Sequence, residues 1–295
     1  MTQAKNYIAL ERPVLPQPMR GRRTLWALKF TVKILTPHAR LSCSQRGPVL
    51  QQAGWGPAIS SSHERFVKGN TTLIRPKLTP ELQLNLITPK SSMWTWGEYE
   101  LDNSGIGIPY WAVYWPGGQA LTKHILATPS LVRNKVILDL GSGCGSVCAA
   151  ALLNGAKLAI ANDVDPYALA ASKVNVISNL GSAKSLILDS RNCLTPSPAV
   201  FEGVDIAWIG DMFYDSDMSL SVRRWIKEAR NMGMEVFVGD PGRHAFSDEM
   251  LDTGSKTVEI GDLVLDKVGE YEMVKETTEY LEENAFTTGV VWRVA

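Results

Sequence analysis

A short glycine-rich turn carries the chemistry that is easiest to recognise in this sequence. Asp139 stands two residues before Gly141, and Gly143 and Gly145 follow at every second position. Glycines let a chain turn sharply and let a ligand approach bare backbone. A turn that binds the pyrophosphate of a dinucleotide has the spacing G-x-G-x-x-G, and a carboxylate so close would repel that group. The turn therefore favours a ligand that is cationic or carries an amine, with a purely structural turn as the alternative.

Further carboxylates follow at positions suited to a nucleoside with a cationic end, such as S-adenosylmethionine. Asp163 lies 22 residues after Gly141 (163 − 141) and can accept hydrogen bonds from both hydroxyls of a ribose. Asp165 precedes Pro166, so we expect it to cap the next helix. Asp189 follows a third apolar run and is either an adenine contact or a turn residue.

A third group of residues is placed to bind a substrate at the end of a strand. Residues 204–210 form an apolar run, and Asp211, Phe213 and Tyr214 follow it closely. Ligands of parallel sheets bind outside the carboxyl ends of the strands, so we expect this tip to face the reacting group. Asp211 would orient an amine, while Phe213 and Tyr214 would exclude water and contact its alkyl stem. The alternative is a loop whose aromatic side chains are simply buried.

Alternating apolar runs and helical segments predict the elements that position these residues. Strands are expected at 136–140, 158–162, 185–188, 204–210 and 235–239, and helices at 146–154, 166–179 and 218–232. This alternation requires a parallel sheet with helices on both faces. Near the end of the chain, residues 267–275 and 287–294 are predicted to pair as an antiparallel hairpin. Residues 256–265 fit a strand or a loop equally well.

The first part of the chain differs in composition from the rest. Residues 1–50 hold nine Lys and Arg and a single acid, so their net charge is +8 (9 − 1). Such an Arg-rich, acid-poor and amphipathic segment is typical of a mitochondrial transit peptide, with a disordered basic tail as the alternative. Residues 51–77 are predicted to form a linker. A domain is expected over 78–295, opened by a helix over 79–87 with Thr79 as its N-cap.

Composition argues against several other classes of protein. The formal net charge of the chain is zero, which gives no reason to expect a nucleic-acid or membrane partner. No run of about 18 apolar residues is present, so no transmembrane helix is expected. The four cysteines form no C-x-x-C pair, and we expect neither a bound metal nor a disulfide framework. Arg243 is expected to be a surface residue.

Several segments together resemble the seven-β-strand protein lysine methyltransferases. Residues 211–214 match that family's (D/E)-x-x-(Y/F) motif, and the runs at 110–121, 138–145 and 239–243 are similar as well. The resemblance spans residues 73–295. It implies an α/β, Rossmann-like class I methyltransferase sheet of seven strands, mostly parallel with an antiparallel C-terminal edge.

The same resemblance implies a cofactor, a reaction and a partner. The cofactor is S-adenosyl-L-methionine, with Trp115 flanking it and Gly118 allowing its close approach. The reaction is protein-lysine N-methylation in the mitochondrial matrix, with the cytoplasm as the alternative, and the expected protein partner is the electron transfer flavoprotein β-subunit. The expected catalytic residues are Asp211, Phe213 and Tyr214, and the expected cofactor-binding residues are Trp115, Gly118, Asp139, Gly141, Gly143, Gly145, Asp163 and Asp189.

Three other functions fit parts of this pattern. A methyltransferase that acts on a ribosomal protein or a small amine would share the glycine turn and the Asp-x-Asp-Pro segment. A cofactor-binding scaffold without catalysis is disfavoured, because the turn, the ribose carboxylate and the strand-end tetrapeptide are all intact. A nicotinamide-dependent oxidoreductase is disfavoured by the glycine spacing and by Asp139.

Overall fold

A mixed β-sheet covered by helices forms the centre of the molecule. The computed structural model describes residues 59–194, 202–243, 255–274 and 286–295. The strands are β1 (Thr72–Ile74), β2 (Leu84–Leu86), β3 (Val136–Leu140), β4 (Leu158–Asn162), β5 (Leu186–Asp189), β6 (Ile206–Gly210), β7 (Glu235–Asp240), β8 (Thr257–Ile260), β9 (Leu263–Glu272) and β10 (Thr288–Val294). The helices are α1 (Ser61–Asn70), α2 (Glu98–Ser104), α3 (Pro116–Ala127), α4 (Ser146–Leu153), α5 (Pro166–Leu180) and α6 (Ser216–Asn231).

The main sheet has eight strands in the order β5-β4-β3-β6-β7-β10-β9-β8. The first five of these are parallel, and β10 pairs antiparallel with both β7 and β9. The predicted α/β sheet with an antiparallel C-terminal edge is therefore confirmed, including the hairpin of β9 and β10. An eighth strand, β8, extends the predicted seven, because the chain turns tightly at Gly261 (φ 61°) and pairs β8 with β9.

Alternate residues of the central strands face two apolar layers. Ile137 faces the layer built with α3, α4 and α5, while Val136 and Leu138 face the layer built with α6. All five residues of β3 are buried, as expected for a parallel strand covered on both faces. Each of the four apolar side chains among them contributes about 1.5–3 kcal/mol by its removal from water.

The predicted linker does not hold for residues 61–74. Residues 61–70 form α1, whose Val67 is fully buried and whose Glu64 forms a 2.6 Å ion pair with Lys173 of α5. Residues 72–74 form β1, which pairs antiparallel with β2. The lead-in to the sheet therefore begins earlier than residue 78. The predicted transit segment, 1–50, lies outside the described residues.

The predicted helix over residues 79–87 is wrong. Thr79 starts a single turn, in which its carbonyl accepts from the Leu82 amide at 3.1 Å, and the chain then extends as β2. Leu82, Leu84 and Leu86 are all buried in one apolar layer. Their spacing of two residues is the period of a strand, and it outweighs the helix-start signal at residues 79–81.

Membrane-spanning helices and metal sites are both absent from the described residues. None of the helices there is both long and apolar enough to cross a bilayer. No group of three or more His, Cys, Asp and Glu in that part of the chain is arranged to hold a metal ion. Cys144, Cys148 and Cys193 are buried and free.

Candidate active site

In the glycine turn between β3 and α4, Gly143 and Gly145 have different tasks. Gly141, Gly143 and Gly145 have φ values of 69°, 49° and 71°, which favour glycine. At Gly145 a Cβ would lie 2.4 Å from the Cα of Ser172, so this glycine lets α4 pack against α5. At Gly143 a Cβ would meet nothing closer than 3.9 Å. Gly143 is therefore the position where absence of a side chain leaves open room for a ligand.

Asp163 lies beside this turn, at the end of β4. Its Oδ2 accepts a hydrogen bond from the Gly143 amide at 3.0 Å, and its Oδ1 accepts one from the Asp165 amide at 3.0 Å. Burial raises the pKa of this carboxyl to about 6. Each oxygen keeps an acceptor position, which a ribose hydroxyl can use. Asp165 caps α5 by accepting from the Tyr167 amide at 2.8 Å, as predicted.

Asp139 lies under the turn and is only 4% exposed. It shares the face of β3 that carries Ile137, and its Oδ2 accepts from the Cys148 thiol of α4 at 3.6 Å. Burial is the main reason that its pKa rises to about 7, and repulsion from Asp163 adds to the rise. A cationic group bound at the turn would favour the ionised form of this carboxylate.

The Asp189 carboxylate is already saturated by its own turn. Arg191 donates to its two oxygens at 2.9 and 3.0 Å, and the Arg191 amide and the Cys193 thiol donate as well. Asp189 is 1% exposed. Of the two predicted roles, this geometry favours that of a turn residue. The adenine contact is therefore better sought in the backbone that Asp189 fixes.

Asp211 lies at the end of β6 in a strained backbone conformation, with φ 57°. Its Oδ2 accepts from the Gly118 amide at 2.7 Å, and its Oδ1 accepts from Nη1 of Arg243 at 2.6 Å. Gly118 is the third residue of α3, so its amide is one of the donors that a helix leaves unpaired. A carboxylate at this helix end is stabilised by the helix dipole.

Glycines allow helix α3 to pack closely against the ends of β6 and β7. A Cβ at Gly117 would lie 2.1 Å from the carbonyl oxygen of Gly239, and a Cβ at Gly210 would lie 3.2 Å from the Cα of Gly118. The packing of α3 therefore requires a glycine at 117, while the predicted close approach of the cofactor at Gly118 stays a prediction. The repeated glycines at 117–118, 210 and 239 were the available signal.

An aromatic rim lies beside these carboxylates. Trp115 donates through Nε1 to the Tyr110 carbonyl at 2.9 Å, and their rings lie 6.2 Å apart. Tyr214 is 44% exposed, and partial burial raises its pKa to about 12, with Asp215, Tyr110 and Asp163 adding to the rise. Phe213, by contrast, is 1% exposed and packs in the layer with α6, so the prediction that it contacts the substrate is not supported. Tyr110 takes the second aromatic place, which the sequence analysis did not assign.

Arg243 is not the surface residue that was expected. Its side chain is 13% exposed and pairs with Asp211 at 2.6 Å and with Asp240 at 3.3 Å. Asp240 is fully buried, and burial raises its pKa to about 6 although Arg243 opposes the rise. The segment 240–243 therefore belongs to the same site as Asp211.

The sheet order and the site together define a class I S-adenosylmethionine-dependent methyltransferase. The parallel core, its antiparallel edge and an open glycine turn joined to a carboxylate are the features that define it.

Comparison with known proteins identifies the family. Residues 122–201 match the family model described as Ribosomal protein L11 methyltransferase (PrmA). The Homo sapiens protein named Electron transfer flavoprotein beta subunit lysine methyltransferase is 35% identical over 249 residues, which cover 81% of this chain and 84% of that protein. The Caenorhabditis elegans homolog of that name is 36% identical over 202 residues, covering 65% and 81%. The chain belongs to the family of electron transfer flavoprotein β-subunit lysine methyltransferases.

Likeness to the ribosomal-protein enzymes is confined to one part of the chain. The Ribosomal protein L11 methyltransferase of Acinetobacter baumannii is 48% identical over 48 residues, or 16% of each chain. The family model spans α3 to the segment after β5, which contains the glycine turn and Asp163 but not Asp211. That match therefore concerns the cofactor half of the site.

Proposed function

We propose that this protein transfers a methyl group from S-adenosylmethionine to the ε-amine of a lysine in the electron transfer flavoprotein β-subunit. The observation that carries this proposal is the position of Tyr214. It follows β6, which pairs with β3 and so ends beside the glycine turn, and it is 44% exposed. Tyr214 therefore lies between the proposed cofactor site at the glycine turn and the half-exposed aromatic rim.

The residues at the turn fit this cofactor. The open space at Gly143 admits a ligand against backbone, and Asp163 offers acceptor positions at the same point. Asp139 and Asp163 make the turn acidic, which suits the ammonium and sulfonium groups of S-adenosylmethionine. When bound, the cofactor supplies an electrophilic methyl group on its sulfonium.

The residues on the substrate side must receive the lysine nitrogen without its proton, because its lone pair forms the new bond to carbon. A free lysine has a pKa near 10.4, so about one in 10³ is neutral near pH 7.4. Desolvation between aromatic rings lowers that pKa, whereas Asp211 would raise it. We therefore assign Asp211 to orientation of the amine and the aromatic rim to its desolvation.

The Asp211 carboxylate can orient an amine while keeping its present partners. Gly118 and Arg243 each occupy one acceptor position, and an ionised carboxylate offers about four. Burial raises the pKa of Tyr214 to about 12, so its hydroxyl keeps its proton and can donate or accept at neutral pH. Tyr110 and Tyr214 then supply the walls of a slot for the alkyl stem.

A mitochondrial location supports the same substrate. The composition of residues 1–50 is the basis for this part of the proposal, because nine basic residues against one acid is the balance of a transit segment.

Two substitutions separate the two halves of the proposed site. Asp211→Asn keeps a residue type that tolerates positive φ, and we expect methyl transfer to the β-subunit to fall about 10²-fold. Asp163→Asn should weaken S-adenosylhomocysteine binding by about 1.5–3 kcal/mol, because hydrogen bonds to a charged group are lost. Transfer is measured with radiolabelled cofactor and recombinant β-subunit, and binding is measured by calorimetry.

Asp102 is exposed in α2, so Asp102→Asn is the matched control. It should change neither methyl transfer nor the affinity for S-adenosylhomocysteine. A labelled protein other than the β-subunit in a mitochondrial extract would show that the substrate is wrong while the enzyme class stands. If S-adenosylhomocysteine neither binds nor raises the melting temperature, the whole proposal fails.

A further inference from the structure

Arg243 connects three parts of the chain around Asp211. Its Nη1 lies 2.6 Å from Oδ1 of Asp211, at the end of β6, and 3.3 Å from Oδ2 of Asp240, at the end of β7. Its Cζ lies 5.3 Å from the ring centroid of Phe286, two residues before β10. Two charged contacts and one cation–π contact therefore fix the guanidinium.

Arg243 offsets the repulsion between the carboxylates of Asp211 and Asp240. Asp211 and Asp240 repel each other, since an oxygen of each carboxylate lies within 3.3 Å of the same Arg243 nitrogen. Arg243 stands between the two carboxylates and offsets this repulsion. Without that cation, two carboxylates that are almost inaccessible to water would face each other across adjacent strand ends.

The backbone conformation of Asp211 and its ion pair with Arg243 together fix the orientation of the carboxylate. The residue has φ 57°, where side chains other than Gly, Asn and Asp are disfavoured, and its Oδ2 is bound to the Gly118 amide. Arg243 on Oδ1 and Gly118 on Oδ2 hold the carboxylate from opposite sides. The carboxylate therefore has one orientation relative to the α3 end and the β6 tip.

We propose that Arg243 is a positioning residue, which holds the Asp211 carboxylate in the orientation that receives the substrate amine. This inference rests on the proposed lysine methylation. In this role Arg243 acts through Asp211 and takes no direct part in the transfer. Among the described residues, the groups that face the Asp211 carboxylate are the Gly118 amide, Arg243 and Asp240.

The kinetic test uses Arg243→Gln, Arg243→Lys, Asp211→Asn and the double variant Arg243→Gln/Asp211→Asn. We expect Arg243→Gln to lower kcat about 10²-fold while S-adenosylhomocysteine affinity stays within about threefold. Arg243→Lys keeps the charge and should recover most of the loss. The double variant should be no slower than Asp211→Asn alone, because the arginine acts through that carboxylate. Additive losses, or no recovery with Lys, would overturn the proposal.

A second measurement does not depend on activity. The Gly118 amide proton reports the carboxylate directly, since it donates to Oδ2 at 2.7 Å. In an ¹⁵N–¹H spectrum its resonance in Arg243→Gln should move toward the position seen in Asp211→Asn, and in Arg243→Lys it should stay near the wild-type position. An unmoved resonance in Arg243→Gln would refute the positioning role even if the wild-type protein transferred no methyl group.

Discussion

Three aspartates of the site have pKa values that folding raises. Burial raises the pKa of Asp139 to about 7 and those of Asp163 and Asp240 to about 6. A carboxyl whose pKa is raised on folding binds its proton more tightly in the folded state. Its ionisation therefore costs stability as the pH rises from the unfolded value toward the folded value. The site is thus less stable at neutral pH than an uncharged version of it would be.

Asp139→Asn should stabilise the ligand-free protein at neutral pH. The gain in unfolding free energy should grow as the pH rises from 4 to 7 and then level off, reaching about 4 kcal/mol. Urea unfolding at a series of pH values measures it. The same variant should bind S-adenosylhomocysteine more weakly, because an acidic group below the turn is lost. A gain that is equal at pH 4 and pH 8 would show that Asp139 is not the source.

Sequence reasoning reached some of these residues and missed others for a physical reason. Gly143 and Asp163 follow neighbouring parallel strands, so their proximity could be predicted from the strand pattern alone. The pair of Asp189 and Arg191 required the exact shape of one turn. The pair of Asp211 and Arg243 required both the β6–β7 adjacency and the path of the chain after β7. Pairing between charged side chains depends on such details, which hydrophobic periodicity does not encode.

At the scale of elements, α5 ties the glycine turn to the N-terminal lead-in. Asn175 of α5 is fully buried and donates to the Cys144 carbonyl at 2.8 Å. Its Oδ1 accepts from the amide of Asn85 at 2.7 Å and from the side chain of Asn85 at 2.9 Å. A single side chain thus connects β2, α5 and the turn.

Asn175→Ala should therefore damage stability and cofactor binding together. The loss leaves buried polar groups of Asn85 and Cys144 without their present partner, at a cost of about 1–3 kcal/mol in unfolding free energy. S-adenosylhomocysteine affinity should fall as well, because the turn loses an anchor. Ser178→Ala is the matched control, since within the described segments the Ser178 hydroxyl bonds only to the Val174 carbonyl of the same helix. Equal effects of the two variants in thermal unfolding and calorimetry would contradict the coupling.

The elements themselves were predicted well where strand and helix alternate. The predicted strand at 136–140 coincides with β3, and that at 158–162 with β4. The error at residues 79–87 arose because a helix-start signal was preferred to the two-residue period of the following leucines. The error at 61–70 has a different cause: α1 has few apolar residues and is held through its packing on α5, which local composition does not reveal.

Over the whole molecule, charge is distributed unevenly along the chain. The formal net charge is zero, and residues 1–50 carry +8, so the remainder carries −8 (0 − 8). Attraction of a basic leading segment by a membrane potential is the physical basis of mitochondrial import. The proposed transit segment is therefore basic, and the rest of the chain has a net negative charge.

Residues 1–50 fused to a fluorescent protein should direct it to mitochondria. Replacement of Arg20, Arg22 and Arg23 by Glu should leave the fusion in the cytosol, whereas replacement by Lys should not, because positive charge is what the import signal needs. Fluorescence microscopy with a mitochondrial marker distinguishes the outcomes. Import of the Glu variant would show that the basic charge is incidental.

The two outermost strands of the sheet have a consequence for behaviour at high concentration. β5 and β8 are four residues each, and they are the two edge strands of the main sheet in the described part of the chain. Short edge strands with charged neighbours, such as Lys184 beside β5 and Glu259 within β8, are poor templates for another chain. The hairpin that adds β8 therefore replaces the ten-residue β9 as the exposed border, and it protects the fold against strand-to-strand aggregation.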